Sequence, residues 1–222
     1  MTPIRTAAVA AALAAGGLAT ARPALAEIQL SFYLGTQEAA HSRVSGDDPG
    51  GVGAFSFLAT WEGRSFEMPP YYGVRAIWWR NENLGFGFEI NHAKVYASDA
   101  TRAASGFSVL EMTDGLNIVT ANVMYRWPSE ARRWTPYVGA GAGVAIPHVE
   151  VTSTGGSVFE YQLTGPAVAL IAGVSYELTD RWALFGEYKG TYSQNKMDLG
   201  SGGTMETDIV TNAVNLGVSW SF

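Results

Sequence analysis

The sequence predicts an all-β chain, an eight-stranded antiparallel transmembrane β-barrel with long extracellular loops and short periplasmic turns. Three observations predict it. Stretches in which apolar residues alternate with small or polar ones recur from Glu27 to Phe222, the period of two that a strand with two different faces requires. After Ala26 no apolar run approaches the ~20 residues a spanning helix needs. Trp78, Trp79, Trp127, Trp134, Trp182 and Trp220 all lie beside a short turn or at the C-terminus, as an interfacial aromatic belt on one rim would place them.

Residues 1–26 read as a secretory signal: one positive charge at Arg5, an Ala-, Leu- and Gly-rich run to Thr20, then the small-residue pattern Ala24-Leu25-Ala26. That leaves 27–222 as a single barrel domain destined for the cell outer membrane. The chain has no cysteine, so disulfides, thiol nucleophiles and thiolate metal sites are excluded. Removing Arg5 and Arg22 with the signal leaves 12 basic against 20 acidic residues, a net charge of -8, which argues against a nucleic-acid partner.

The first strand runs from about Glu27 to Gln37, with Ile28, Leu30, Phe32 and Leu34 on its apolar side. A long first loop follows, to about Pro69, with turn chemistry at SGDDPGG and a strand-like patch at AFSFLATWEG. That patch belongs to the loop, because counting it would give nine strands and a single-chain bacterial barrel closes with an even number. Tyr72 to Trp78 mark the second strand, Asn81-Glu82-Asn83 a turn, and Leu84 to Tyr96 the third. Residues 97–113 read as a second loop, and the fourth strand then runs to Trp127. PSEARRW leads to the fifth strand, Thr135 to Val149; a third loop, 150–162, precedes the sixth strand with Val168, Leu170, Val174 and Tyr176. Thr179-Asp180-Arg181 turns into the seventh, Trp182 to about Ser193, and a fourth loop returns to the last. In that last strand Val214, Leu216, Val218, Trp220 and Phe222 alternate with Ala213, Asn215, Gly217, Ser219 and Ser221. It resembles the closing strand of outer-membrane barrels, which ends on an aromatic residue.

The inward positions carry Arg75, Glu89, Arg126, Glu177, Glu187 and Lys189 with Asn91, Asn122 and Asn215. These read as a self-neutralising plug, because buried charges must pair, and an eight-stranded barrel so filled makes a poor pore. Gly139, Gly141 and Gly143 lack the spacing of a nucleotide loop and are expected to make room for a large neighbour such as Tyr33 or Arg126. His41, His92 and His148 all map to the extracellular rim, and strict alternation points His92 and His148 outward, toward lipopolysaccharide headgroups. Either they serve a ligand there or they bind nothing. The first loop is unusually dense in functional side chains, with His41, Ser42, Arg43, Asp47, Asp48, Glu62, Arg64 and Glu67 in one connection. No flavin, haem or nicotinamide motif is present.

Through EIQLSFYLGTQEAAHSRVSGDDPGG, WEGRSFEMPPYYGVRAIWWR and the aromatic-ended last strand, the chain resembles the lipid A oxidase family of rhizobial-type outer membranes. The resemblance implies oxidation of the proximal glucosamine of 1-dephosphorylated lipid A to 2-aminogluconate, with O2 as oxidant and hydrogen peroxide as co-product. The chain is expected to be a monomer whose partner is lipopolysaccharide of the outer leaflet, and the implied oxidation by O2 calls for a redox-active group, for which a divalent metal ion is the candidate. Candidate metal ligands are His41, Asp47, Glu67, His92 and His148; candidate catalytic residues are His41, His92, His148 and Glu67. Arg43, Arg64 and Lys94 are the candidates for orienting lipid A phosphate or carboxyl groups. The alternatives are a non-enzymatic barrel serving adhesion or surface stability, and a lipid A deacylase, which would need a serine beside a histidine.

Overall fold

The computed structural model describes residues 27–222; the expected signal segment lies outside the described residues. The elements are β1 (Glu27–Ala39), β2 (Ser42–Asp48), β3 (Gly53–Ala59), β4 (Trp61–Glu62), β5 (Tyr72–Trp79), β6 (Leu84–Ala97) and α1 (Asp99–Ser105). They continue with β7 (Val109–Arg126), β8 (Trp134–Ser153), β9 (Gly156–Tyr161), β10 (Gly165–Glu177), β11 (Trp182–Asp198) and β12 (Thr204–Ser221). Eight of the strands form an antiparallel ring in the order β1-β5-β6-β7-β8-β10-β11-β12. β12 returns to β1, from Gln29↔Ser221 to Ala39↔Thr211, and closes it. Closure leaves no strand edge with unpaired backbone groups in lipid.

The outer face carries the apolar half of each alternation. Leu216, Phe88 and Leu170 are 74%, 69% and 68% exposed, which only a hydrocarbon surround makes favourable. The inner face at mid-height is polar and paired. Arg75 bonds Glu89 (Nε to Oε2, 3.1 Å) and, with two nitrogens, Glu187 (2.9 and 2.8 Å). Lys189 Nζ donates to Glu89, Tyr137 Oη to Glu187 at 2.7 Å, and Asn122 and Asn215 donate to Glu89 and Glu187. Two cations and two carboxylates cancel, as the plug reading expects. Two of its expected members stand elsewhere: Arg126 pairs with Glu27 at 2.7 Å near the periplasmic end, and Glu177 is exposed there. The room for Tyr33 comes from Gly73, where a Cβ would lie 2.1 Å from the ring; Gly139 and Gly141 face Met124 and Asn122 instead.

Above the membrane the expected loops are largely sheet. The β2–β3 hairpin pairs from Ser42↔Ala59 to Asp48↔Gly53, and β2 also pairs with β12 from Thr204↔Asp47 to Thr207↔Val44. Only the end of SGDDPGG is therefore a turn, while AFSFLATWEG does lie in the first outer connection, as β3 and β4. The second loop contains α1, capped by Ser98, whose Oγ accepts from Thr101 N at 3.2 Å, and ended by Gly106 at φ 82°. The third is a β8–β9 hairpin, and the fourth shrinks to a turn, because β11 and β12 stay paired up to Asp198↔Thr204. The physical reason is an inversion of the alternation. Met197, Met205 and Ile209 face inward and are buried, whereas Lys196, Glu206 and Asp208 face outward into water. With Val44, Trp61, Phe107 and Val149 they make an apolar core that closes the top of the lumen.

Asp48 fastens this cap. Its carboxylate accepts from Val52 N at 3.0 Å and from the hydroxyls of Ser153 and Ser201, tying three hairpin turns together. Burial pushes its pKa up, but these hydrogen bonds outweigh burial and hold it below the usual value. The cap stability it contributes is therefore complete above the ordinary Asp value of ~3.9 and is lost as pH falls through the lower folded value. Asp48→Asn is expected to abolish that acid sensitivity while weakening the cap by about 1–3 kcal/mol. Hydrogen exchange of the Ser42–Ala59 amides, compared at neutral and acidic pH, reads both effects.

Candidate functional site

At the upper edge of the lipid-facing band, the outward positions of β5 to β8 turn from apolar to polar. The registers Tyr72↔His92 and His92↔Asn117 set three of these side chains in a row across neighbouring strands. The His92 and Tyr72 rings stack at 5.0 Å and 22°, with Phe32 behind Tyr72 at 6.4 Å. His92 Nδ1 donates to Asn117 Oδ1 at 2.9 Å. That bond fixes the neutral ring's proton on Nδ1 and leaves the Nε2 lone pair as an acceptor. Nε2 has no hydrogen-bond partner among the described residues.

A bulge covers this ring. Between Met112 and Leu116 the β6–β7 register shifts, and Gly115 takes φ 90° directly over His92. A Cβ at Gly115 would lie 2.3 Å from His92 Cε1, so only glycine meets both the backbone and the space requirement. His92 thus stands on the expected outward side of the sheet, yet it is buried rather than open to headgroups. Gly115→Ala is expected to push the ring off Asn117, which imidazole NMR shifts of His92 would show. The same bulge brings Asp114 Oδ2 to 3.8 Å from His148 Nδ1. His148, also on the outer side and also buried, packs edge-on against Phe159 and Tyr161 at 4.3 and 4.6 Å.

The remaining candidates are spread over the cap. His41 and Asp47 are exposed on the first connection, and Arg43 is exposed on β2, donating to Ser56 Oγ at 3.1 Å. Arg64 donates twice to Glu62 Oε2, at 2.9 and 2.8 Å, and lies 3.7 Å from exposed Glu67. The bond to Glu62 raises the Arg64 pKa above its usual value. Lys94 is fully buried; its Nζ has no hydrogen-bond partner among the described residues and lies 5.0 Å from the Tyr96 ring centre, a ring it shares with Arg64 at 4.8 Å. Arg64 and Lys94 therefore come together, and Arg43 stands apart on the hairpin. Among the described residues no three His, Asp or Glu gather at metal-binding distance, so His41, Asp47, Glu67, His92 and His148 do not form one centre. Sequence reasoning missed Tyr72, Asp114, Gly115 and Asn117 as a group. The Asp114-Gly115 pair is the signal that marks the bulge.

A cavity of about 660 Å³ opens at the opposite, periplasmic end, below Arg75, with Gln29, Ser31, Trp79, Met124, Thr135 and Phe185 on its walls. The ion-paired plug and the apolar upper core lie between it and the outer-leaflet groups.

In solved structures the fold recurs. Neisserial surface protein A superposes with a TM-score of 0.51 at 15% identity, over 89% of this chain and 97% of that one. The outer membrane protein OprG from Pseudomonas aeruginosa superposes with a TM-score of 0.53 at 12% identity, over 91% and 98%. At such identities the likeness shows the fold alone. No functionally curated protein matches the chain. The outer membrane protein beta-barrel domain family matches residues 8–222, and with the closed ring and its lipid-facing band, the chain belongs to that family of integral outer-membrane barrels.

Proposed function

We propose that this barrel is a lipid A-modifying oxidase acting in the outer leaflet. Its substrate is 1-dephosphorylated lipid A and its product the 2-aminogluconate form. The observation that carries the reading is His92 in the outward row at the outer rim, its Nδ1 bonded to Asn117 and its unpartnered Nε2 buried beneath the Gly115 bulge, so that a sugar hydroxyl reaches it only when the bulge lifts. A free anomeric hydroxyl is the most acidic hydroxyl of such a sugar, and a fixed imidazole lone pair suits removal of its proton. Overall, the cyclic hemiacetal loses two electrons and two protons to give a lactone. Dioxygen takes them up as hydrogen peroxide, and water opens the lactone to the acid. The family resemblance implies a redox-active group, but among the described residues the candidate ligands do not fit a single metal centre. Of the expected substrate-orienting cations, half-buried Arg64 is the one we assign to an anionic group of the substrate, with buried Lys94 behind it on the same Tyr96 ring.

A second reading, a non-enzymatic surface barrel, is favoured by the cover that Gly115 lays over His92, since a stacked and bonded histidine also serves as a brace. Deacylation lacks its dyad: among the described residues no hydrogen bond joins a serine to a histidine. The test is mass spectrometry of lipid A from a host that makes the 1-dephosphorylated form and expresses this protein. Aerobic cells should yield species heavier by one oxygen atom, and anaerobic cells should not. Unchanged lipid A in aerobic cells with folded barrel in the outer membrane sinks the oxidase reading.

A further inference from the structure

The five-residue excursion between Ser65 and Tyr71 leaves the barrel wall with two apolar side chains outermost. Phe66 and Met68 are 79% and 83% exposed, more than the lipid-facing Leu216 at 74%. The excursion cannot fold back to cover them, because it is pinned at both ends. Ser65 Oγ accepts from Gln37 N at 2.7 Å and donates to Gln37 O at 3.0 Å. Tyr71 N donates to Ser65 O at 2.7 Å, and the Tyr71 ring is buried beside Tyr33 at 6.2 Å. Within the excursion Glu67 N donates to Arg64 O at 3.0 Å.

The pairing fixes its height. Leu34↔Tyr72 is the last β1–β5 pair, and both residues belong to the outward row that includes Phe32. Ser65 meets β1 at Gln37, three residues further up the strand. At ~3.4 Å per residue and a tilt of about 40°, that is on the order of 8 Å above the last lipid-facing residue of β1. An apolar side chain at this height stands within the roughly 5–10 Å zone where headgroup meets acyl chain. The excursion thus sits over the β1–β5 seam, above the outward-facing pair Leu34 and Tyr72. The one charge between its two apolar tips, Glu67, lies 3.7 Å from Arg64.

We propose that the Ser65–Tyr71 excursion is a lipid-seated finger, whose Phe66 and Met68 insert into the outer leaflet at the boundary between headgroups and acyl chains. The lipid surface is its occupant, and the finger fixes how deep this side of the barrel rides. The proposal rests on the barrel's membrane setting and stands whether or not the chain is an oxidase.

The chain has no cysteine, so Phe66→Cys and Met68→Cys each accept a single nitroxide label. Leu216→Cys on the lipid face and Thr154→Cys at the exposed β8–β9 turn supply the two reference environments. In vesicles of phospholipid and lipopolysaccharide, spin-relaxation accessibility to oxygen is compared with accessibility to a water-soluble nickel chelate. Both finger labels should favour oxygen several-fold more than the Thr154 label and approach the Leu216 label. A ratio equal to that at Thr154 would overturn the proposal, as would dipolar broadening that places two copies finger to finger. Heat-modifiable gel mobility confirms that each labelled barrel is folded.

Discussion

Glu89→Gln is expected to lower the unfolding free energy of the barrel by about 3–5 kcal/mol, the cost of leaving a buried ion uncompensated. Glu89 and Glu187 balance Arg75 and Lys189 in a lumen closed above by apolar side chains, and all four are 1–4% exposed. Without the Glu89 charge, Lys189 retains Tyr33 Oη at 3.0 Å but loses its carboxylate, while Arg75 keeps Glu187. Adding Lys189→Met restores neutrality and is expected to return much of the loss, a non-additivity that neighbours in one network should show. Urea unfolding of the protein in detergent micelles, followed by tryptophan fluorescence, measures both. A Glu89→Gln barrel as stable as the parent would mean that the four charges are not coupled.

His92→Ala is expected to lower the lipid A oxidation rate by about 10²–10⁴-fold, the range for a positioned proton acceptor, with the barrel still folded. Asn117→Ala should lose less, because it removes only the group that holds the tautomer, and should shift the pH dependence of the rate. His41→Ala should leave the rate unchanged, since His41 is exposed and far along the first connection from this row. Full activity in His92→Ala would assign the ring to bracing the bulge.

The membrane part of this fold was legible because lipid imposes one rule on every strand. Apolar residues face out, so the alternation in Val214 to Phe222 or Phe86 to Ile90 states both strand and orientation. Above the membrane the rule reverses. From Asp198 to Ile209 the apolar partners are the inward ones, and a search for outward apolar alternation reads the same residues as loop. Helix α1 escaped for another reason: seven residues are too few to display a helical period. The site was half legible. His92 and His148 could be placed on the outer side of the rim by counting, but their partners depend on the register shift at the bulge. One displaced residue pair decides that Gly115 covers His92 and that Asp114 reaches His148. Among the described residues the expected metal set does not converge, because His41, Asp47 and Glu67 are spread along the first connection while His92 and His148 stand on β6 and β8, and no local pattern records how that connection packs.

The most direct test uses the purified barrel in vesicles with 1-dephosphorylated lipid A, supplied with or without oxygen. Mass spectrometry and a peroxide assay should show lipid A gaining one oxygen atom with an equimolar release of hydrogen peroxide, only when oxygen is present. Lipid A of unchanged mass and no peroxide, from a barrel shown to be folded, would contradict it.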